Sequence, residues 1–208
     1  MHYTNEYFDI YYTSSDEGYI EDVIDTLNTS LEEYLAFFNL DGLAEKVFIK
    51  FYDNIESFKE YNANICHNPH KPGRVGITRN NEIHMLSLSE RLKERPQDNF
   101  DIFLMGVKHE LVHICHIAYK GNNKGSWLAE GLANYLGSPR YEETLEGCTI
   151  EHLKTRSKYK YCYTLTKYLI EHYSHEKVLE YAKNEDLLLE DTEKLLEEAK
   201  LYYAKKIK

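Results

Sequence analysis

The segment that decides how this chain folds is 100–119, with the sequence FDIFLMGVKHELVHICHIAY. Apolar side chains recur on nearly all of its sides, which predicts a helix buried in the core, and the glycine at 121 predicts its end. Within this helix His109 and His113 are four residues apart, so both imidazoles project from one face and can bind the same ion. Glu110 follows His109 about 100° around the helix, beside that ion rather than on it.

Two imidazoles and an adjacent carboxylate are the arrangement that a zinc hydrolase needs. The motif alone is only moderately specific, but polar groups on so apolar a helix cost free energy unless a partner satisfies them. The alternative is two core histidines bound to backbone groups, with Glu110 in a buried ion pair. A metzincin would continue with a glycine and a third histidine where this chain has His116 and Tyr119, so that class is excluded.

The third ligand that the spacing favours is Glu130, seventeen residues past His113. Ser126 is a predicted N-cap, and the helix predicted from Trp127 to Leu136 carries Glu130. An antiparallel return of this length can bring its carboxylate to the ion. Two imidazoles and one carboxylate leave a fourth position for water, as catalytic zinc requires.

With this second block, WLAEGLA at 127–133, the chain resembles the gluzincin zinc metallopeptidases, and more narrowly the peptidase MA-like group related to the aminopeptidase and leukotriene hydrolase family. The likeness extends upstream to the segment 73–76 and the strand 83–86, and weakens after about residue 170. The resemblance implies one zinc ion per chain, bound by His109, His113 and Glu130. Glu110 would be the general base that takes a proton from the zinc-bound water and hands it to the leaving amine.

The resemblance also implies where substrate and intermediate bind. The predicted strand 82–88 would be the cleft's edge strand, where an extended peptide pairs with Ile83, His84, Met85 and Leu86. Tyr161 and Tyr163 are the first candidates for stabilising the oxyanion, and Tyr159 is a further one. The chain has no Gly-rich exopeptidase motif of the aminopeptidases, so aminopeptidase activity is not inferred.

Two more residues are candidates for supporting the metal site. Asn134 lies one turn after Glu130, where related gluzincins often carry an acid that orients a zinc histidine; an amide would hold the ring less strongly. His116, three residues after His113, is either a substrate contact or a partly exposed ring. In the loop 66–74, Cys66, His67 and His70 could also bind a metal, but a loop rich in Pro and Asn favours plain surface.

The remaining pattern predicts an α+β, zincin-like fold. Strands are predicted at 6–13, 46–52, 75–78 and 82–88, helices at 19–38 and after Asn54, and a charged connection at 91–99. This order suggests a small twisted mixed sheet with helices on one face, whereas 145–208 is predicted to be all-helical. We expect a single catalytic domain over 1–208, with a mixed lobe (1–120) that ends in the metal helix, a helical lobe (121–208) and an active-site cleft between them.

Composition bounds the partners. A net charge of −10 disfavours nucleic acid and anionic membranes, and 1–10 has no basic start or apolar run of a signal peptide, so we expect a cytoplasmic protein with reduced cysteines. The predicted function is a zinc metallopeptidase acting on a peptide or protein, its oligomeric state undetermined. The alternatives are a zinc hydrolase of a non-peptide amide or ester, and a catalytically idle protein-binding module, which the presence of Glu110 argues against.

Overall fold

The computed structural model describes residues 1–64, 73–122, 125–138, 142–155 and 158–206. Within these ranges the fold is α+β, as predicted. The strands are β1 (His2–Thr4), β2 (Phe8–Tyr11), β3 (Val47–Tyr52), β4 (Gly76–Arg79) and β5 (Glu82–Leu86). The helices are α1 (Ile20–Phe37), α2 (Ile55–Asn64), α3 (Leu88–Glu94), α4 (Phe100–Lys120), α5 (Trp127–Leu132), α6 (Ile150–Lys154), α7 (Lys158–His172), α8 (His175–Lys183) and α9 (Glu185–Lys206).

The sheet is mixed, with the strand order β1-β2-β3-β5-β4. The three central strands β2, β3 and β5 run parallel to one another. β1 pairs antiparallel with β2 at one side of the sheet, and β4 pairs antiparallel with β5 at the other. β5 is therefore an interior strand, and the prediction that it forms the cleft's edge is wrong. The edge on that side is β4, because a tight turn at Asn80 (φ 52°) folds β5 back between β4 and β3.

Helices cover both faces of the sheet rather than the single face that the sequence suggested. Phe51 of β3 joins the main core with residues of α1 and α4. Its neighbour Tyr52 belongs to a second, smaller cluster with Phe58 of α2 and Leu86 of β5. Because consecutive residues of a strand point to opposite faces, α2 must pack on the face opposite α1 and α4.

Two local predictions differ from the structure for identifiable reasons. The strand predicted at 6–13 is the shorter β2, and the preceding strand β1 was not predicted; Asn5 turns the chain between them by accepting hydrogen bonds from the amides of Tyr7 and Phe8 at 2.9 and 2.7 Å. The predicted charged connection begins inside α3, whose N-cap Ser87 accepts a hydrogen bond from the amide of Glu90. That helix was not predicted because most of its side chains are charged or polar and give no clear apolar periodicity.

The metal helix α4 lies at the centre of the fold, and its predicted bounds are confirmed within a residue. Asn99 caps its first turn by accepting from the amide of Ile102 at 2.9 Å, and Gly121 ends it in the left-handed conformation (φ 79°). α4 packs against α1, β4, α8 and the π-helical segment Ala133–Gly137 that continues α5. No helix in the described part of the chain is long and apolar enough to cross a membrane.

Candidate metal centre

Three potential metal ligands meet where α4 and α5 face each other. The Nε2 atoms of His109 and His113 are 3.3 Å apart. Oε2 of Glu130 lies 3.7 Å from the first of these nitrogens and 3.8 Å from the second. Among the described residues this is the group of histidine, cysteine and acidic side chains that could hold a metal ion.

The triangle of donor atoms fits a single ion. Ligands bound tetrahedrally at about 2.0–2.1 Å lie roughly 3.3 Å from one another, so separations of 3.3, 3.7 and 3.8 Å need only a small contraction. The three side chains keep about 16–17% of their surface exposed, which leaves one side of the group open to the cleft. The metal-ligand prediction for His109, His113 and Glu130 is therefore supported by geometry that sequence spacing could not supply.

Two characteristic residues of the Trp127-led block, the tryptophan and the glycine, have a structural explanation. The indole of Trp127 is 2% exposed, and its Nε1 donates to Oγ1 of Thr192 in α9 at 3.1 Å. Gly131 faces α7 so closely that an added Cβ would lie 1.8 Å from Oγ1 of Thr166. Trp127 thus anchors α5 to α9, and Gly131 allows α7 to pack closely against α5. These two contacts hold α5 so that the carboxylate of Glu130 points to the histidines.

A hydrogen-bond chain orients His109. Nδ1 of His109 lies 3.2 Å from Oγ of Ser138, and the Ser138 hydroxyl donates to Oδ1 of Asn134 at 3.3 Å. A hydroxyl has one proton, so Ser138 must accept from Nδ1–H of His109, which leaves the Nε2 lone pair directed at the metal position. Asn134 therefore reaches His109 through Ser138 and not by direct contact.

The π-helical segment makes this chain of hydrogen bonds possible. Gly137 sits directly on the backbone of α4, where an added Cβ would lie 2.6 Å from the amide nitrogen of His109. The extra residue of the π turn changes which side chains face α4 and brings Ser138 level with the imidazole. π turns often occur at functional sites. A single sequence, however, predicts neither where a π turn forms nor that Gly137 packs against the backbone of α4.

Glu110 is held by the edge strand β4. Its Oε2 accepts a hydrogen bond from Oγ1 of Thr78 at 2.7 Å. Gly76 leaves room for the carboxylate, because a Cβ there would lie 2.8 Å from Oε1. Burial raises the pKa of Glu110, while the neighbouring His113 opposes that rise. A raised pKa makes this carboxylate a stronger base than an exposed glutamate, which favours proton transfer.

The site opens into a cleft of about 1480 Å³ between β4, α4, α5 and the start of α7. Tyr159 and Tyr163 line this cleft, and the Tyr159 hydroxyl donates to Oε1 of Glu130 at 3.2 Å. Tyr161 instead points into the core: it is 8% exposed, and its ring lies 5.7 Å from that of His152. Tyr161 therefore has no access to the candidate metal position, whereas Tyr159 contacts Glu130 directly.

His116 lines the cleft, but it is buried and not the partly exposed ring that was one of its two predicted roles; the other, a substrate contact, stays a prediction. Its ring is 4% exposed, stacks on Phe38, and bonds through Nε2 to the carbonyl oxygen of Ala182 at 2.8 Å. Burial lowers the pKa of His116 to about 4, so the ring is neutral and donates to that carbonyl. Its position on α4 faces α1 and α8, and it connects the metal helix to the C-terminal helices.

The residues predicted to line an edge strand are interior instead. Ile83, Met85 and Leu86 are all buried, and the ring of His84 stacks on Tyr61 and lies 2.9 Å from the hydroxyl of Tyr52. The strand itself was predicted, two residues too long at its end, but the order of strands in a sheet is a long-range property that the local sequence does not contain. Met85 still reaches the cleft wall beside Gly76.

Thr78 and Ser138 are the site residues that sequence analysis missed. Each is a single hydroxyl residue in a segment whose distance from α4 depends on a glycine, and neither belongs to a recognisable motif. Cys66, His67 and His70, the alternative ligands, lie outside the described residues. Comparisons of the chain with protein-family models, with curated proteins and with solved structures found no match.

Proposed function

We propose that this chain is a zinc-dependent metallopeptidase of the gluzincin type, a single zincin-like catalytic domain that hydrolyses peptide bonds. The observation that carries the proposal is the combination of three converging ligand atoms with a separate carboxylate, Glu110, held beside them by Thr78. A structural ion site needs no such carboxylate, and catalytic zinc sites characteristically have three protein ligands and one open position.

His109, His113 and Glu130 would hold the ion. Bound zinc supplies Lewis acidity, which polarises a carbonyl and makes water acidic enough to ionise near pH 7. Glu110 takes the proton from the attacking water and passes it to the amine nitrogen that leaves. The hydrogen bond from Thr78 fixes the carboxylate in one position for both transfers.

The outer edge of β4, which no described strand covers, favours a peptide over a small ester or amide. The amide of Leu86 donates to the carbonyl of Val75, so in this antiparallel register Val75, Ile77 and Arg79 bond to β5. The N–H and C=O groups of Gly76 and Thr78 then point away from β5, along the wall of the cleft that contains Glu110. An extended peptide can pair with them and pass the metal position.

Tyr159 is our candidate for the oxyanion donor. Its hydroxyl lies beside Glu130 at the rim of the metal site. Burial and the neighbouring Glu130 raise the pKa of Tyr159, so the phenol stays protonated and can donate to an oxygen that gains negative charge. Tyr163, farther along the cleft, is the second candidate.

The decisive experiment combines metal analysis with one substitution. Protein purified without added zinc should contain close to one zinc ion per chain, and Glu110→Gln should keep the zinc and lose peptide hydrolysis. Glu143→Gln is the matched control, because Glu143 also lines the cleft but is exposed and does not belong to the group that could hold a metal ion. Absence of zinc after reconstitution, or full activity of Glu110→Gln, would refute the proposal. Cleavage of esters or small amides but of no peptide would favour the alternative hydrolase.

A further inference from the structure

Three arginines border one end of the cleft, although the chain as a whole has a net charge of −10. Arg74 precedes β4, Arg91 belongs to α3, and Arg95 follows that helix. Apolar side chains of Met85, Ile102 and Met105 complete this end of the cleft. A pocket with apolar walls and fixed cations is suited to an anionic group attached to an organic skeleton.

Arg91 is the central member of this group. It is 3% exposed, and its Nε donates to Oδ2 of Asp98 at 2.6 Å. Its Nη1 is also buried, but has no hydrogen-bond partner among the described residues. Buried donors are nearly always satisfied, and the ion pair with Asp98, which fastens α3 to the start of α4, accounts for Nε alone. The unused donor therefore indicates a missing partner.

The guanidinium reaches the part of α4 that adjoins the general base. Gly106 lies one turn before Glu110, and an added Cβ at Gly106 would lie 2.5 Å from Nη1 of Arg91. The guanidinium of Arg91 thus fills the space that a side chain at position 106 would otherwise take. Glu110 delivers its proton to the leaving amine, so the substrate residue that carries this amine lies on the Glu110 side of the ion, next to the arginines.

We propose that Arg91, with Arg95 and Arg74, forms a carboxylate-binding subsite for the substrate segment on the amine side of the scissile bond. The inference rests on the proposed peptidase function and defines its substrate class. The carboxylate has two sources: an Asp or Glu side chain directly after the cleaved bond, or the free C-terminus of a short peptide. A planar guanidinium binds either with paired, charge-assisted hydrogen bonds.

The test begins with the zinc-loaded protein and a diverse peptide mixture, whose products are identified by mass spectrometry. We expect cleavage before Asp or Glu, or release of C-terminal residues. Matched peptides then separate the sources: Glu is replaced by Gln after the scissile bond, and the free C-terminus by an amide. Loss of the carboxylate that matters should lower kcat/KM roughly 10- to 100-fold, the effect of a hydrogen bond to a charged group.

Variants connect this preference to the arginines. Arg95→Gln and the double substitution Arg91→Gln with Asp98→Asn, which removes both charges of the buried pair, should each abolish the preference for a carboxylate while zinc content stays the same. Lys93→Gln is the control, because it removes a positive charge from the same helix, but its side chain is 70% exposed and pairs with Glu90. Lys93→Gln should keep the preference.

A second measurement works without turnover and without relying on a foldable Arg91 variant. Zinc-loaded Glu110→Gln should bind the carboxylate peptide more tightly than its neutral analogue, measured by fluorescence anisotropy of labelled peptides. Cleavage without any carboxylate preference, or a preference that survives both arginine variants, would overturn the subsite and leave the peptidase intact. If no peptide is cleaved at all, the peptidase proposal itself fails.

Discussion

Gly137→Ala should damage both the stability of the protein and its metal site, because Gly137 lies directly on the metal helix. The new Cβ would be 2.6 Å from the amide nitrogen and 2.7 Å from Cα of His109. Non-bonded carbon contacts are comfortable at about 3.5–4.0 Å, so the π-helical segment and α4 must separate by about 1 Å. The obstacle is backbone, which cannot rotate away as a side chain can.

The expected loss follows from this displacement. Overpacking of a well-packed core costs about 1–3 kcal/mol, and for a chain of this size each kcal/mol lowers Tm by about 2–4 °C. A middle value of about 2 kcal/mol corresponds to a fall of roughly 4–8 °C. The same shift draws Ser138 away from Nδ1 of His109, and loss of such a supporting hydrogen bond typically weakens metal binding about 10- to 100-fold.

Calorimetry of the metal-free protein and zinc competition against a chromophoric chelator measure the two effects separately. Gly42→Ala is the control, since a Cβ at Gly42 would meet nothing within 4 Å; we expect a change within about 0.5 kcal/mol. If Gly137→Ala has the Tm and zinc affinity of the control, the close packing of the π-helical segment is not what positions His109, and the reasoning is wrong.

Three further substitutions test individual contacts of the site. Ser138→Ala should lower zinc affinity about tenfold with little change in Tm, because it removes the hydroxyl that accepts from His109. Thr78→Val should leave zinc content unchanged and lower kcat roughly 10- to 100-fold, because Glu110 loses a charge-assisted hydrogen bond. Tyr159→Phe, assayed at saturating zinc, should lower kcat by about a hundredfold if its hydroxyl stabilises the oxyanion.

Each of these has a matched comparison. Thr78→Ser retains the hydroxyl and should recover most of the rate that Thr78→Val loses. Tyr163→Phe should be milder than Tyr159→Phe, and the reverse order would transfer the oxyanion role to Tyr163. Asn134→Asp keeps an acceptor for the Ser138 hydroxyl and should bind zinc at least as well as the native protein, whereas Asn134→Leu should bind it more weakly.

The three residues that could hold a metal ion were predictable because their evidence is local. His109 and His113 share one face of a helix whose apolar composition and terminal glycine are plain in the sequence. Glu130 required one further step, the recognition that Trp127, Gly131 and Ser126 mark a second helix at a suitable distance. The structure explains why those residue types matter. Trp127 anchors α5 to α9, Gly131 leaves room for α7 to pack closely, and Ser126 caps the first turn of α5.

The tyrosines show the limit of this reasoning. Tyr159, Tyr161 and Tyr163 begin the same helix, and helical periodicity alone does not say which of them faces the metal. That choice depends on how α7 is rotated against α5, which is fixed by the contact of Gly131 with Thr166 and with the Cys162 carbonyl. The structure consequently turns Tyr161 into the core and Tyr159 toward Glu130.

By itself the sequence determined the α+β class, the buried helix α4 and the three residues that could hold a metal ion, since all of these follow from periodicity, capping and residue spacing along one or two neighbouring helices. Only the tertiary structure decided that β4 rather than β5 is the outer strand of the described sheet, and that Thr78 donates to Glu110. It also brings Arg91 to Gly106, one turn before Glu110, with an Nη1 that has no hydrogen-bond partner among the described residues. These features join segments that are distant in sequence, and their positions depend on close backbone contacts at Gly76, Gly106 and Gly137. Such contacts form only when the chain has packed, so no local sequence pattern predicts them.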